Sequence, residues 1–169
     1  MATPRVPLTG GGSIDSVALG AFELVSGETL PELVVAYRHD GLAPVDGPQI
    51  VVVHALTGSA DAAGDWWAPL IGPGLALDTD RYGVLCANLL GGRYGTTGPP
   101  SIDPVTGVPY GPTFPSVSTR DQAAVLWRLL DALGVDRVAL GTGGSLGGMV
   151  ALEFAVLEPS RVERVLPMA

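Results

Sequence analysis

Residues 138–150 read VALGTGGSLGGMV, and this stretch decides the fold. It opens on a short, largely apolar run at residues 137–140, which is typical of a buried strand. Closely spaced glycines then surround Ser145, and the segment after them is apolar on nearly every side until Pro159. A helix that is apolar all round is buried. The stretch therefore predicts a strand, a tight turn that carries Ser145, and a buried helix.

The turn fits the pattern G-x-S-x-G, with Gly143 and Gly147 on either side of the serine. A serine at a strand-to-helix turn is held in a strained backbone conformation that only small neighbours permit. Its position at a helix N-terminus also places backbone N–H groups beside an oxyanion that forms on a substrate. We therefore predict that Ser145 is a nucleophile and that the N–H of Leu146 is one oxyanion donor.

A glycine-rich stretch after a strand can also be a plain turn or a phosphate-binding loop. The phosphate-binding patterns are G-x-G-x-x-G and G-x-x-x-x-G-K-[ST]. Neither fits the residues around Ser145, and no lysine follows the glycines. The nucleophile is therefore the favoured interpretation of this turn.

Apolar runs elsewhere in the chain predict the sheet that holds the turn. The β-branched run at residues 50–53 is typical of a central strand, because parallel sheets bury both faces of their strands. The other predicted strands cover residues 17–25, 33–38, 84–87 and 162–166. Turn residues separate the first two of these, which predicts a hairpin at the start of the fold.

One helix is clearly predicted ahead of the serine turn. It begins after Ser118, where Asp121 completes a capping box, and Gly134 is placed to end it. Strands that alternate with helices indicate an α/β fold with a mostly parallel sheet and helices on both faces. With the serine turn added, this is the order of the α/β-hydrolase fold. We expect residues 1–169 to form one incomplete domain that stops after about the sixth strand, with residues 1–16 flexible.

The second oxyanion donor of this fold comes from the loop after the third strand. Here that loop is residues 54–58, in which the N–H of Leu56 is the candidate donor and Gly58 gives the turn room. His54 precedes the nucleophile, whereas the chain order of this fold is serine, acid, histidine. We therefore expect His54 to hydrogen-bond locally and shape the loop, and we expect His39 at the surface.

The chain carries too few residues after the serine to complete a catalytic triad. It has two histidines, and both precede Ser145. The strands that would supply an acid and a base do not occur before Ala169. A serine hydroxyl without a base is a poor nucleophile, and loss of a triad partner costs several orders of magnitude in rate. We expect the triad Asp and His to be absent and the chain to be inactive by itself.

Composition excludes several other classes of function. The formal net charge is -8 and no cluster of Lys or Arg occurs, so no nucleic-acid partner is expected. No apolar run is long enough to cross a membrane, and no signal-peptide pattern opens the chain. The single Cys86 lies in an apolar run and is expected to be buried and inert, which fits a cytoplasmic location. Residues 89–115 predict a long ordered loop, and no metal or bound cofactor is predicted.

Longer strings of the sequence resemble the homoserine O-acetyltransferase family. The strings are HALTG at 54–58, WW at 66–67, LIGPG at 70–74, DTDRY at 78–82, NLLGG at 88–92, GTTGP at 95–99, PYGP at 109–112, FP at 114–115 and GGSLGGM at 143–149. The match runs from about Phe22 to the end of the chain. Generic esterases share only the serine turn, so these strings are specific.

The resemblance implies a two-step acetyl transfer in methionine biosynthesis. Ser145 would accept acetyl from acetyl-CoA, the co-substrate, and the hydroxyl of L-homoserine would then take it. The backbone amides of Leu56 and Leu146 carry over as the oxyanion donors. The family usually has methionine where Leu146 stands, which is a mild change because the donor is main-chain. The lid helices, a substrate-binding arginine and the triad Asp and His belong to the half of the family that this chain lacks, and a homodimer stays open for a full-length form.

Two alternatives to this acyltransferase stay open from the sequence. One is a related serine hydrolase or esterase, or a transferase that uses serine as the acceptor or succinyl as the acyl group. The other is a non-catalytic fragment. For the latter we expect aggregation or partial unfolding unless a partner covers the exposed sheet edge.

Overall fold

Six strands form the main sheet of the computed structural model, which describes residues 11–169. In spatial order they are β1 (Gly11–Ala18), β4 (Val34–Gly41), β8 (Gly83–Ala87), β5 (Gln49–Val53), β9 (Val138–Gly144) and β10 (Val165–Met168). The pairs β1 with β4 and β4 with β8 are antiparallel, and the other three pairs are parallel. The predicted α/β-hydrolase fold with a mostly parallel sheet is confirmed.

The remaining elements of the described chain are two α-helices, a single-turn 3-10 helix at Gly111–Thr113 and two small strand pairs. The helices are α1 (Thr119–Leu133) and α2 (Leu146–Leu157), and the strand pairs are β2 (Phe22–Glu23) with β3 (Thr29–Leu30) and β6 (Ile71–Gly72) with β7 (Leu77–Asp78). Of the described residues, no helix is both long and apolar enough to cross a membrane.

Both helices pack on one face of the sheet, where the larger core lies. Trp127 of α1 stacks on Phe154 of α2 with ring centroids 4.1 Å apart, and its indole N–H donates to the Phe154 carbonyl over 2.9 Å. The predicted capping box of α1 is present between Ser118 and Asp121, and Gly134 ends the helix in the left-handed conformation. The stacked rings and the indole hydrogen bond fix α2 against α1, and the caps stabilise the two ends of α1.

The opposite face has its own core, and a segment without a helix covers it in the described chain. Val52 of β5 and Cys86 of β8 point to this side, where they meet Trp66, Trp67 and Ile71 from a turn-rich segment. The expectation of helices on both faces is therefore corrected for the described residues. A turn-rich segment is enough to cover this face of the sheet, because its two tryptophans bury a large apolar area. Cys86 is buried as expected, and burial raises the pKa of its thiol.

The start of the chain differs from the prediction at two points. Residues 11–16 belong to β1 and are not a flexible terminus, whereas residues 1–10 lie outside the described part. Pairing with β4 explains this, because backbone hydrogen bonds hold an edge strand whatever its side chains are. Residues 17–25 do not form one strand, since the chain turns at Gly20, whose φ is 71°.

His39 was expected at the surface, but it is only 3% exposed. The residue belongs to β4, which lies between β1 and β8, so neighbouring strands enclose it. Its Nε2 donates to Oε1 of Gln49 over 2.9 Å, because the amide nitrogen of Gln49 already donates to two carbonyls. Nδ1 is buried without a hydrogen-bond partner in the described structure. His39 is thus a neutral core residue at the amino end of β5.

One apolar surface stays exposed in the described structure, on α2 and the edge strand β10. Met149, Leu152 and Val156 of the helix and Leu166 of the strand are between 48% and 66% exposed. All four residues of β10 are exposed, and the strand pairs only with β9. Exposed apolar area beside a free strand edge favours association with another chain.

We predict that His39 makes stability depend on pH. Burial lowers the pKa of this imidazole, so below about pH 6.5 the unfolded chain binds more protons than the folded one. The free energy of unfolding should therefore fall as the pH drops from about 7.5 to about 5.5. Urea unfolding of His39→Gln, which keeps a donor towards Gln49, should show a shallower dependence. Parallel curves for the two proteins would contradict this assignment.

We also predict that the exposed surface of α2 drives self-association. Val156→Lys places a charge on this surface and should lower the associated fraction in sedimentation velocity at a given concentration. Val45→Lys is the matched control, because Val45 is 82% exposed in a loop away from α2. A native chain that stays monomeric at high concentration would refute the prediction.

Candidate active site

Ser145 lies at the sharp turn where β9 ends and α2 begins. Its φ and ψ are 55° and −121°, and it is the only non-glycine residue of the described chain with a positive φ. Such a conformation costs about 1–3 kcal/mol and persists only where the surrounding structure enforces it. The residue is exposed at the carboxyl edge of the sheet. The predicted strand, turn and helix are all present, but the helix is buried on one face only, because Met149, Leu152 and Val156 are exposed.

Close packing between α2 and β5 enforces this turn. A methyl group on Gly143 would lie 2.5 Å from the carbonyl oxygen of Val53, and one on Gly147 would lie 2.8 Å from the carbonyl oxygen of His54 and closer still to that of Val53. Real Cβ atoms essentially never come that near to backbone atoms. Gly144, by contrast, faces open space. The two glycines of the G-x-S-x-G pattern therefore have a steric reason to be glycine.

Hydrogen bonds hold the backbone of Ser145 on both sides. Its N–H donates to the carbonyl of Met168 over 2.9 Å, which ties the turn to β10. Its carbonyl accepts from the N–H groups of Gly148 and Met149 over 2.9 and 3.2 Å. These bonds involve only main-chain atoms, so the hydroxyl of Ser145 stays available to a substrate.

The two predicted oxyanion donors lie at the same edge of the sheet. Leu146 is the first residue of α2, where N–H groups have no acceptor within the helix. Leu56 follows the neighbouring strand β5, and Val53 of β5 stands in register with Gly143 of β9. Parallel strands end at a common edge, so both leucines stand beside the serine turn. Their role as oxyanion donors stays a prediction.

His54 shapes the loop that carries Leu56. Its Nε2 accepts from the N–H of Leu89 over 3.1 Å, so Nδ1 carries the hydrogen and donates to the carbonyl of Ala55 over 2.7 Å. The N–H of Gly58 donates to the same carbonyl over 2.9 Å. Burial lowers the pKa of His54 and keeps the ring neutral. With both ring nitrogens engaged, His54 has the local role expected of it and is not placed to act as a base.

The sequence did not reveal the part played by Asn88. This buried residue directly follows β8, and its Oδ1 accepts from the N–H of Ala60 over 2.6 Å. Its amide nitrogen donates to the carbonyl of Tyr94. Asn88 therefore connects the segment after the oxyanion loop with the glycine-rich segment after β8. An amide side chain directly after a fully apolar strand was the signal that could have pointed to it.

A cleft of about 410 Å³ opens between the oxyanion loop and the glycine-rich segment after β8. Leu56, Thr57 and Gly58 line one side, and residues 91–94 and 99–100 line the other. Ser145 is not among the lining residues. The described residues contain no cluster of three or more His, Cys, Asp or Glu side chains that could hold a metal ion.

Comparison with known proteins agrees with this geometry. The sequence profile of the alpha/beta hydrolase fold family matches residues 48–166. Over 156 residues the chain is 47% identical to a homoserine O-acetyltransferase from Moorella thermoacetica, covering 86% of this chain and 42% of that protein. The chain therefore spans less than half the length of this relative.

Solved structures give the same result. A homoserine O-acetyltransferase from Bacillus anthracis matches with a TM-score of 0.83 and 31% identity, over 90% of this chain and 45% of that one. The esterase E22 matches with a TM-score of 0.81 and 32% identity, over 90% of this chain and 46% of that one. The resemblance to homoserine O-acetyltransferases is thereby confirmed over the matched part, and the chain belongs to the alpha/beta hydrolase fold family.

Proposed function

We propose that this chain is the nucleophile-bearing part of an acyltransferase that moves acetyl from acetyl-CoA to the hydroxyl of L-homoserine. The observation that carries the proposal is the strained Ser145 between β9 and α2, within a sequence 47% identical to a homoserine O-acetyltransferase. A strained nucleophile at a helix N-terminus is the arrangement that acyl transfer needs.

In the first step the oxygen of Ser145 attacks the thioester carbon of acetyl-CoA. The C–S bond breaks, the serine proton passes to a histidine, and the histidine returns it to the departing thiolate. In the second step the homoserine hydroxyl gives its proton to the same histidine as its oxygen attacks the acetyl-serine carbon. The bond between that carbon and the Ser145 oxygen breaks, and the histidine returns the proton to Ser145. This sequence predicts ping-pong kinetics.

The residues of this chain contribute position and charge stabilisation to both steps. The N–H groups of Leu56 and Leu146 face the carbonyl oxygen as it becomes negative, and one such donor is worth about 10² to 10³ in rate. His54 keeps the first donor in place through its bond to Ala55. The N-terminus of α2 adds the positive end of its dipole.

The proton transfers need groups that residues 1–169 do not supply. His39 lies at the opposite end of β5, and both nitrogens of His54 are engaged. The acid and the base therefore come from a segment outside this chain, and the chain alone is expected to have little activity. Methionine biosynthesis in the cytoplasm and a homodimeric assembly are part of the same proposal, with acetyl-CoA and L-homoserine as the small-molecule substrates and no bound cofactor.

A serine esterase is the second candidate. The similarity to esterase E22 supports this candidate, because the chain is 32% identical to that esterase and 31% identical to the solved homoserine O-acetyltransferase. Esterases and acyltransferases of this fold share the acyl-serine and differ in the group that accepts the acyl chain. Succinyl transfer, serine as acceptor and a non-catalytic fragment are the remaining alternatives.

A chimaera tests the proposal directly. Residues 1–169 are joined to the part of the Moorella thermoacetica relative that follows the matched segment, and the product is incubated with acetyl-CoA and L-homoserine. We expect O-acetylhomoserine to form and the peptide containing Ser145 to gain an acetyl group in mass spectrometry. Ser145→Ala should abolish both signals, whereas Ser160→Ala, which alters an exposed serine after α2, should preserve them.

Three other outcomes would decide against the proposal or between its alternatives. Hydrolysis of acetyl esters without transfer to homoserine would favour the esterase. Transfer of succinyl in place of acetyl would change the donor. A cooperatively folded chimaera in which Ser145 gains no acyl group would refute both enzyme candidates.

A further inference from the structure

Among the described residues, a single charged side chain lines the cleft beside the oxyanion loop. Of the residues that line it, Arg93 alone carries a charge, since burial keeps His54 neutral. Arg93 also lines an adjoining cleft of about 210 Å³ that includes Thr96 and Ser101. Arg93 therefore lies where the two clefts meet, in a chain whose net charge is -8.

This guanidinium has no carboxylate partner in the described structure. Its Nη2 donates to the hydroxyl of Tyr94 over 2.8 Å, and its Cζ lies 4.9 Å from the centre of the same ring. Arg38, Arg120 and Arg161 each pair with an Asp or Glu. Of the described residues, Arg81, Arg128 and Arg137 also have no ion pair, but Arg93 differs from them in lining the cleft. The contact with Tyr94 orients Arg93 but leaves its charge uncompensated.

The segment that carries Arg93 is held in place on both sides. Asn88 donates to the carbonyl of Tyr94, and His54 accepts from the N–H of Leu89. Gly91 and Gly95 flank the arginine with φ values of 83° and 94°, which only glycine adopts readily. The arginine is therefore presented by a defined turn across from Leu56.

We infer that Arg93 binds an anionic group, a carboxylate or a phosphate, of the ligand that occupies this cleft. A planar guanidinium matches both groups with paired N–H donors, and here no internal carboxylate competes for them. The inference rests on the proposed function for its ligand class, because coenzyme A carries phosphates and L-homoserine carries a carboxylate. It assigns a specificity-determining role to a residue outside the serine turn.

Titration calorimetry on the whole chain tests this inference. Coenzyme A is compared with pantetheine, which lacks the phosphates, and L-homoserine with 2-amino-1,4-butanediol, which lacks the carboxylate. Arg93→Met should weaken the binding of one anionic compound by about tenfold or more, and Arg93→Lys by less. The counterpart that lacks the anionic group should bind the native chain and Arg93→Met equally. The anionic compound that responds identifies the source of the group.

Arg81→Met is the matched control. Arg81 is also an exposed arginine followed by a tyrosine, with its Cζ 5.8 Å from the ring centre of Tyr82, but it does not line the cleft. This variant should bind as the native chain does. Equal losses in both variants would mean that only overall charge matters, and this would overturn the inference. Absence of saturable binding of either anionic compound at about 10 mM would do the same.

The binding experiment on Arg93 and the chimaera experiment can succeed or fail independently of each other. If the chimaera transfers no acetyl but Arg93→Met still weakens anion binding, the anion site stands and the acyltransferase proposal fails. If the chimaera is active and Arg93→Met binds both anionic compounds normally, the acyltransferase proposal stands and the anion-site inference fails. Circular dichroism of each variant checks that the fold is intact.

Discussion

The first turn of α2 lies so close to the carboxyl end of β5 that no side chain fits between them. This close approach depends on Gly147 and Gly143, and it compels the chain to turn within one residue after β9. Ser145 takes up the turn with a φ of 55°, a strained value for a residue with a side chain. The stacking of Trp127 on Phe154 holds α2 in this position from the other side. Packing energy in the core thus maintains strain at the surface, where the nucleophile is exposed.

Two buried polar residues, His54 and Asn88, hold the loops next to the serine turn in place through hydrogen bonds. His54 joins the oxyanion loop to the end of β8, and Asn88 joins the next part of that loop to the segment that carries Arg93. Buried polar groups stabilise a structure only when their hydrogen bonds are satisfied, and here each bond links a different loop. The edge of the sheet is therefore a connected set of loops around the serine.

The sequence predicts the features that depend on local sterics. The serine turn, the capping box of Ser118 and the buried strand at residues 50–53 each need particular residue types at fixed spacing, and all three are present. His39 was misjudged because its burial depends on β4 lying between two other strands, and local pattern does not determine strand order. The position of Arg93 was missed for a related reason: the cleft forms between two loops far apart in sequence.

The strain at Ser145 is the central claim, and the unfolding free energies of two variants test it most directly. Ser145→Ala removes the hydroxyl but keeps the Cβ atom that makes the conformation costly, whereas Ser145→Gly removes both. Relief of strain outweighs the larger entropy of an unfolded glycine. We therefore predict that urea denaturation finds Ser145→Gly more stable than Ser145→Ala by about 1 kcal/mol. The reverse order, which is usual for a glycine in an unstrained helix or strand, would contradict the account.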